Sequence, residues 1–255
     1  MGERLATRLY IPAALSVGGA AALDAAQAHR LRHVLRLGAG TAVAAFNARD
    51  GEFLCRIAEL GRNGGALAVE KQQRALEPEG DLWLLFAPVK RLRLDWLIEK
   101  GTELGVGAFV PVMTARTQAE RLNRERLNRD RLAAHAVAAA EQSERLSVPE
   151  VREVERLDRM LAGWPAGRIL ILCDETGGGA PIADALAGLA PETSAAILIG
   201  PEGGFTQTEL DALGNLPFVT RAGLGPRVLR AETAALAALA IFQAIAGDWR
   251  RTRSR

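Results

Sequence analysis

The feature that most constrains this chain is a series of short, unbroken apolar runs in its C-terminal two thirds. They are Leu82-Trp-Leu-Leu-Phe-Ala87, Ala108-Phe-Val-Pro-Val112, Ile169-Leu-Ile-Leu-Cys173, Ala195-Ala-Ile-Leu-Ile199 and Phe218-Val219. A strand with no polar alternation has no face to offer water, so it must be covered on both sides. Helix-like stretches between the runs supply that cover, and the combination predicts an α/β domain with a mostly parallel sheet. Leu94, Leu97, Ile98 and Gly101 recur at helical spacing, and Gly105 and Gly107 end that helix before the second run. A longer helix is expected over Arg124–Arg145, with Leu127, Leu132, Ala134, Val137, Ala138 and Glu141 near its inner stripe.

The N-terminal part has a different rhythm. Arg8–Ile11, Thr41–Phe46, Glu52–Leu60 and Ala66–Lys71 read as strands, and Asn47–Gly51 and Gly61–Gly65 as turns. A helix is expected between the first two strands, capped by Asp24 with Gln27 three residues on. Ala28, Leu31, Val34 and Leu35 would form its apolar stripe. This predicts a small β-barrel-like module over 1–74 and a larger domain over 75–255, joined through the polar stretch Gln72–Asp81.

Two loops stand out because each follows an apolar run and opens into a helix: Ile199-Gly-Pro-Glu-Gly-Gly204 and Leu224-Gly-Pro-Arg-Val-Leu-Arg-Ala-Glu-Thr-Ala234. A third, Asp174-Glu-Thr-Gly-Gly-Gly179, also leaves a buried run. Glycines there let the backbone approach a ligand and expose N–H groups. In open α/β sheets, ligands bind beyond the carboxyl ends of strands, where these loops should converge. Neither of the first two loops has the glycine spacing of a dinucleotide or Walker loop, so pyrophosphate is not the expected ligand. Thr206 with Glu209 forms a capping box for the helix after the first loop. In the second, Arg230 could pair with Glu232 or could steer an anionic substrate, and the sequence leaves both open.

All but Lys71, Lys90 and Lys100 of the 32 basic residues are arginines. Arginine binds phosphate bidentately and stacks on bases, although genome composition alone can also enrich it. Five arginines fall within residues 1–40 against Glu3 and Asp24, and residues 88–131 carry ten basic against six acidic groups. Two basic surfaces of this kind could track a nucleic-acid backbone. His29 and His33 lack a third ligand, so no metal is expected, and Cys55 and Cys173 have no C-x-x-C spacing. No run of 18 uncharged apolar residues is present and the first residues lack a signal-peptide core, so a cytoplasmic protein with no membrane partner is expected.

Five motifs in order resemble the ribosomal RNA small subunit methyltransferase E family of the SPOUT class. They are His33-Val-Leu-Arg-Leu37, Asp95-Trp-Leu-Ile-Glu-Lys-Gly-Thr-Glu-Leu-Gly105, Ala140-Glu-Gln-Ser-Glu-Arg145 with Val148-Pro149, Ile199 to Phe205, and Leu224 to Thr233. The resemblance spans nearly the whole chain. It implies a C-terminal α/β domain threaded into a deep trefoil knot, which periodicity cannot reveal because knots are nearly absent from proteins. It also implies an N-terminal PUA-like RNA-binding β-barrel, a homodimer, and S-adenosylmethionine bound without metal. The cofactor would be enclosed by Leu172 and the loop after it, by Ile199, Gly200, Pro201, Glu202, Gly203 and Gly204, and by Leu224, Gly225, Val228, Leu229, Arg230 and Thr233.

The implied reaction methylates N3 of a uridine in small-subunit ribosomal RNA, free or in an assembled subunit. Uridine N3 is a poor nucleophile until the imide loses its proton. Arg230 is the expected stabiliser of the resulting anion, with Glu202, Glu232 or water as proton acceptor. Arg8, Arg32, Arg36, Lys90, Arg93, Lys100 and Arg116 are expected on RNA phosphates, and Gln142 and Arg145 at the pocket mouth, where they could hold a flipped base. Two rivals stay open on sequence alone: a non-catalytic RNA-binding assembly factor, and a knotted enzyme acting on ribose 2′-hydroxyls or tRNA. The N-terminal module and the Asp95–Gly105 pattern argue against the latter.

Overall fold

The computed structural model describes residues 4–77, 79–118, 127–191 and 193–250. Two compact units emerge, one of Met1–Pro78 with Ala140–Val148 and the other of Glu79–Ala139 with Pro149–Arg255. The start of the helix expected from Arg124 lies outside the described residues.

In the first unit, strands β1 (Arg8–Tyr10), β2 (Ala20–Leu23), β3 (Ala42–Asn47), β4 (Gly51–Leu60) and β5 (Gly65–Arg74) form one sheet in the order β1-β3-β4-β5-β2. Only β1 and β3 run parallel. Three register shifts along β4 and β5 bend that ribbon. The sheet encloses a core of Leu9, Ile11, Leu31, Val43, Phe53, Ile57 and Leu67. β5 continues to Arg74, so the stretch from Gln72 begins as strand rather than linker.

Helix α1 (Ala25–His29) starts at the expected capping box of Asp24 and Gln27 and passes into a π-helical turn over Arg30–Val34. That turn corrects the predicted apolar stripe. The Leu35 N–H donates to the Arg30 carbonyl five residues back, which widens the helix and rotates Val34 and Leu35 outward; Val34 is 65% exposed. Ala28 and Leu31 keep the buried face.

β3 is buried on both faces. Val43 and Ala45 join the main core, while Phe46 packs with Ala140 and Leu146. Arg8 fastens the same segment. Its Nε lies 2.6 Å from Glu52 Oε2, its Nη1 donates to the carbonyls of Ala140 and Glu141, its Nη2 donates to the carbonyl of Arg145, and its guanidinium lies 4.2 Å from the Phe46 ring centre. Glu141 in turn accepts from the Tyr10 N–H and pairs with Arg30.

In the second unit the strands are β6 (Leu82–Phe86), β7 (Ala108–Met113), β8 (Glu150–Val151), β9 (Glu155–Arg156), β10 (Ile169–Cys173), β11 (Ala180–Pro181), β12 (Ala195–Ile199) and β13 (Val219–Gly223). They form one sheet in the order β11-β13-β10-β12-β6-β7-β8, with β9 also on β7, and every pairing among these strands is parallel. The helices are α2 (Arg91–Glu103), α3 (Arg129–Gln142), α4 (Leu157–Ala162), α5 (Ile182–Leu186), α6 (Gln207–Gly214) and α7 (Ala231–Ile245). The last three residues of α3 count with the first unit. Leu132, Ala136 and Ala139 form its buried stripe, whereas the predicted Ala134 and Ala138 are exposed.

Strand order decides where a ligand can sit. After β10 the chain passes through the two-residue β11 at the sheet edge, enters β12 on one side of β10, and then returns past β10 to β13 on the other side. β10 is therefore a point where the winding changes direction. Loops leaving the carboxyl ends there diverge and open a crevice.

Candidate active site

The three glycine loops leave three adjacent strands at the same edge of the sheet. Cys173 at the end of β10 is in register with Ile199 of β12 on one side and Ala222 of β13 on the other. Beyond these ends lies a cavity of about 480 Å³, within the usual range of roughly 300–1,000 Å³ for small-molecule sites.

Glycine is required at two points of the wall. Gly204 has φ +67°, in the left-handed region, and a Cβ there would run into the Glu175 carboxylate of the neighbouring loop. At Gly200, a Cβ would lie 2.7 Å from the Phe205 ring, and Phe205 is itself a core residue. The loop is held from outside by Arg116, whose Nη1 donates to the Gly203 carbonyl at 2.8 Å and to that of Phe205 at 3.3 Å. It then enters α6 through the Thr206–Glu209 capping box anticipated from the sequence.

The loop after β10 is fixed by Asp174. Its Oδ1 accepts from the Thr176 N–H and hydroxyl, and its Oδ2 pairs with Arg221 of β13. Burial alone would raise this carboxyl's pKa, but the Thr176 hydrogen bonds and Arg221 together hold it below its ordinary value. Cys173 beside it is buried among apolar groups, which push its thiol up to about 12; it is a neutral wall residue.

Of the residues expected to enclose a ligand, Ile199, Gly200, Pro201, Glu202, Gly204, Leu224, Gly225, Val228, Leu229 and Arg230 line the cavity. Three do not. Leu172 points into the core, because its neighbour Cys173 takes the strand-end position. Gly203 faces Arg116, and Thr233 lies exposed on α7 outside the wall. The wall also holds Cys173, Asp174 and Glu175 from the loop expected to follow Leu172; Pro226, Arg227 and Ala231 from within the expected Leu224–Thr233 segment; and Ala234 one residue beyond it. None of these was singled out by number as a cofactor residue from the sequence.

The charged groups are arranged differently from expectation. Arg230 caps α7 with its backbone, is exposed at the rim, and has no ion pair among the described residues. Glu232 does not pair with it. Glu232 is buried behind the wall, and its Oε1 lies 3.3 Å from Arg93 Nε, while Arg93 Nη1 lies 3.3 Å from Glu202 Oε1. Arg93 and Lys90, expected on RNA, both line the cavity.

The other expected phosphate contacts divide by geometry. Arg8 is a correction: it is nearly buried, and four of its hydrogen bonds go to Glu52 and three backbone carbonyls, which leaves little for a phosphate. Lys100 pairs with Glu99 at 2.8 Å and Glu103 at 2.7 Å. Arg145 donates to Ser147, and Gln142 is exposed. Arg32 and Arg36 are exposed, Arg36 with φ 57° just after the π-helical turn. The His29 and His33 rings lie 4.8 Å apart. Among the described residues no three His, Cys, Asp or Glu side chains are placed to hold a metal ion, and no helix is long and apolar enough to cross a membrane.

Known proteins share this architecture over almost the full length. The RNA methyltransferase domain family matches residues 76–243, and the RNA methyltransferase PUA domain family matches residues 23–69. A ribosomal RNA small subunit methyltransferase E from Rickettsia conorii is 30% identical over 83% of this chain and 84% of its own. A Neisseria gonorrhoeae protein of that name, solved bound to S-adenosylmethionine, superposes with a TM-score of 0.82 at 26% identity, covering 95% of this chain and 99% of that one. A Legionella pneumophila methyltransferase, also solved with S-adenosylmethionine, gives 0.81 at 28% identity, covering 96% and 100%. Matched in both units and along nearly its whole length, the chain belongs to the ribosomal RNA small subunit methyltransferase E family.

Proposed function

We propose that this protein is an S-adenosylmethionine-dependent methyltransferase of small-subunit ribosomal RNA, and that the atom it methylates is N3 of a uridine. The observation that carries the reading is the cavity at the carboxyl ends of β10, β12 and β13, with Arg230 exposed at its rim and free of ion pairs among the described residues.

The cavity fits such a cofactor. Gly200 and Gly204 leave the backbone of one wall loop without side chains at those positions, so its N–H and C=O groups can approach an adenine edge. Leu224, Val228 and Leu229 offer apolar surface on the opposite wall, Val228 being 86% exposed. When bound, the cofactor supplies an electrophilic methyl on a sulfonium. The family resemblance adds a knotted α/β domain and a homodimer to the reading.

The protein's own task is to make uridine N3 nucleophilic. Losing the N3 proton puts negative charge on the imide, and a permanent cation beside the ring stabilises it without proton exchange. Arg230, exposed at the rim of the cavity, is the residue proposed for that role. Glu202 remains the candidate proton acceptor because it reaches the wall, whereas Glu232 is withdrawn from it. Arg32 and Arg36 on the first unit and Lys90 on the second are the exposed or wall-lining cations proposed for RNA phosphates.

Mass spectrometry of small-subunit rRNA incubated with protein and S-adenosylmethionine tests the reading. A methyl group on uridine N3 is expected, and absence of any base-methyl product overturns it. Arg230→Ala should lower turnover by about tenfold or more while cofactor affinity, read by calorimetry, stays nearly unchanged. Collapse of affinity with normal turnover at saturation would instead make Arg230 a cofactor ligand.

A further inference from the structure

Arg93 occupies a position that RNA contact does not explain. It stands in the first turn of α2 with its side chain 28% exposed, and it is shared between two carboxylates from distant parts of the second unit. Glu202 belongs to the loop after β12, and Glu232 to the first turn of α7, two residues beyond Arg230. The Oε2 of Glu232 is buried without a hydrogen-bond partner, so the ion pair with Arg93 is what this side chain has among the described residues. Removing Arg93 would take from the buried Glu232 carboxylate the ion pair it has among the described residues, and would untie the 200–204 loop from the start of α7.

We propose that Arg93 is a positioning residue for methyl transfer: its clamp on Glu202 and Glu232 fixes the 200–204 loop against the start of α7 and so sets where Arg230 stands at the cavity. The inference rests on the methyl-transfer reading above. Its physical basis is that a misplacement of about 1 Å can reduce a rate on the order of a hundredfold. The effect belongs in turnover rather than in affinity, because the groups being held act on charge that develops during reaction.

The test compares wild type, Arg93→Gln, Arg93→Lys, Glu232→Gln and the double variant Arg93→Gln with Glu232→Gln, using unmethylated rRNA and S-adenosylmethionine. Arg93→Gln is expected to lower turnover at saturation roughly 10- to 100-fold, with the cofactor Kd within about threefold. The salt dependence of RNA binding should be unchanged, since Arg93 neutralises carboxylates and not phosphates. Arg93→Lys should recover only part, because a single ammonium lacks the planar fork that serves two partners. The double variant removes the stranded charge, so its melting temperature should return toward wild type while turnover does not.

If turnover recovers together with stability in the double variant, Arg93 merely neutralises Glu232 and the proposal is overturned. A loss confined to the KM for RNA, with a flatter salt slope, overturns it in favour of a phosphate contact. Equal activity of Arg93→Gln and wild type also overturns it. Absence of product with wild type removes the methyl-transfer reading itself, and this inference with it.

Discussion

Gly204→Ala separates two roles of one glycine. With φ +67°, an alanine there pays the left-handed penalty of about 1–2 kcal/mol. Its methyl also runs into the Glu175 carboxylate, but that is the far end of a flexible side chain on an exposed residue, so swinging it aside adds less than about 1 kcal/mol. Stability should therefore fall by about 1–3 kcal/mol, mostly through backbone strain. The displaced carboxylate has a different consequence. Glu175 lines the cavity, so its movement alters the volume and charge that a ligand meets, and S-adenosylmethionine affinity should fall. Adding Glu175→Ala removes the collision but not the backbone strain, so it should leave most of the stability loss in place. Urea unfolding followed by tryptophan fluorescence reads the right unit, because Trp83, Trp96, Trp164 and Trp249 all lie in the second one. A midpoint shift on the order of 0.5–1.5 M is expected. Wild-type stability in Gly204→Ala would refute the strain argument, and stability rescued in full by Glu175→Ala would show that collision, not backbone conformation, was the larger effect.

Arg8→Ala should destabilise the first unit by about 3 kcal/mol, because it leaves the nearly buried Glu52 carboxylate with only the longer 3.9 Å pairing to Arg74 and takes a donor from three backbone carbonyls. Hydrogen exchange of the β3, β4 and β5 amides follows this unit. Below its melting temperature, the same variant should leave the salt slope of RNA binding unchanged, whereas removing Arg32 and Arg36 together should flatten it by about 0.7–0.9 for each phosphate they neutralise. The reverse pattern would return Arg8 to the RNA surface. Asp174 gives a pH test: its folded pKa is held below the unfolded value, so its contribution is present at neutral pH and fades as pH falls through the folded value. Asp174→Asn should be less stable than wild type at neutral pH and should converge with it in strong acid; a constant gap across that range would rule out the linkage.

The second unit was legible because strands buried on both faces leave an unbroken apolar run, as in β6, β10 and β12. Both capping boxes were legible because their chemistry is local. Where the sequence has no contrast, the reading slipped. β2 is three alanines and a leucine, and α3 is so rich in alanine that its buried stripe could not be told from its exposed one. The π-helical turn after α1 escaped because nothing in Arg30–Val34 distinguishes five residues per hydrogen-bonded ring from four.

The candidate site divides along the same line. Its backbone could be found from glycines that follow apolar runs, but its ion pairs could not. Arg230 and Glu232 were natural partners on paper, being two residues apart, yet that spacing places side chains on different sides of a helix. Glu232 turns instead to Arg93, which also reaches Glu202 across 109 residues of sequence. Topology explains the meeting. β6 lies beside β12 and runs parallel to it, so the helix that follows β6 must begin at the same edge of the sheet as the loop that follows β12. A charge in the first turn of α2 is therefore delivered to the ligand end of the sheet by strand order alone. Parallel pairing makes every strand-to-helix junction in this unit a candidate contributor to the site, whether or not it carries glycine.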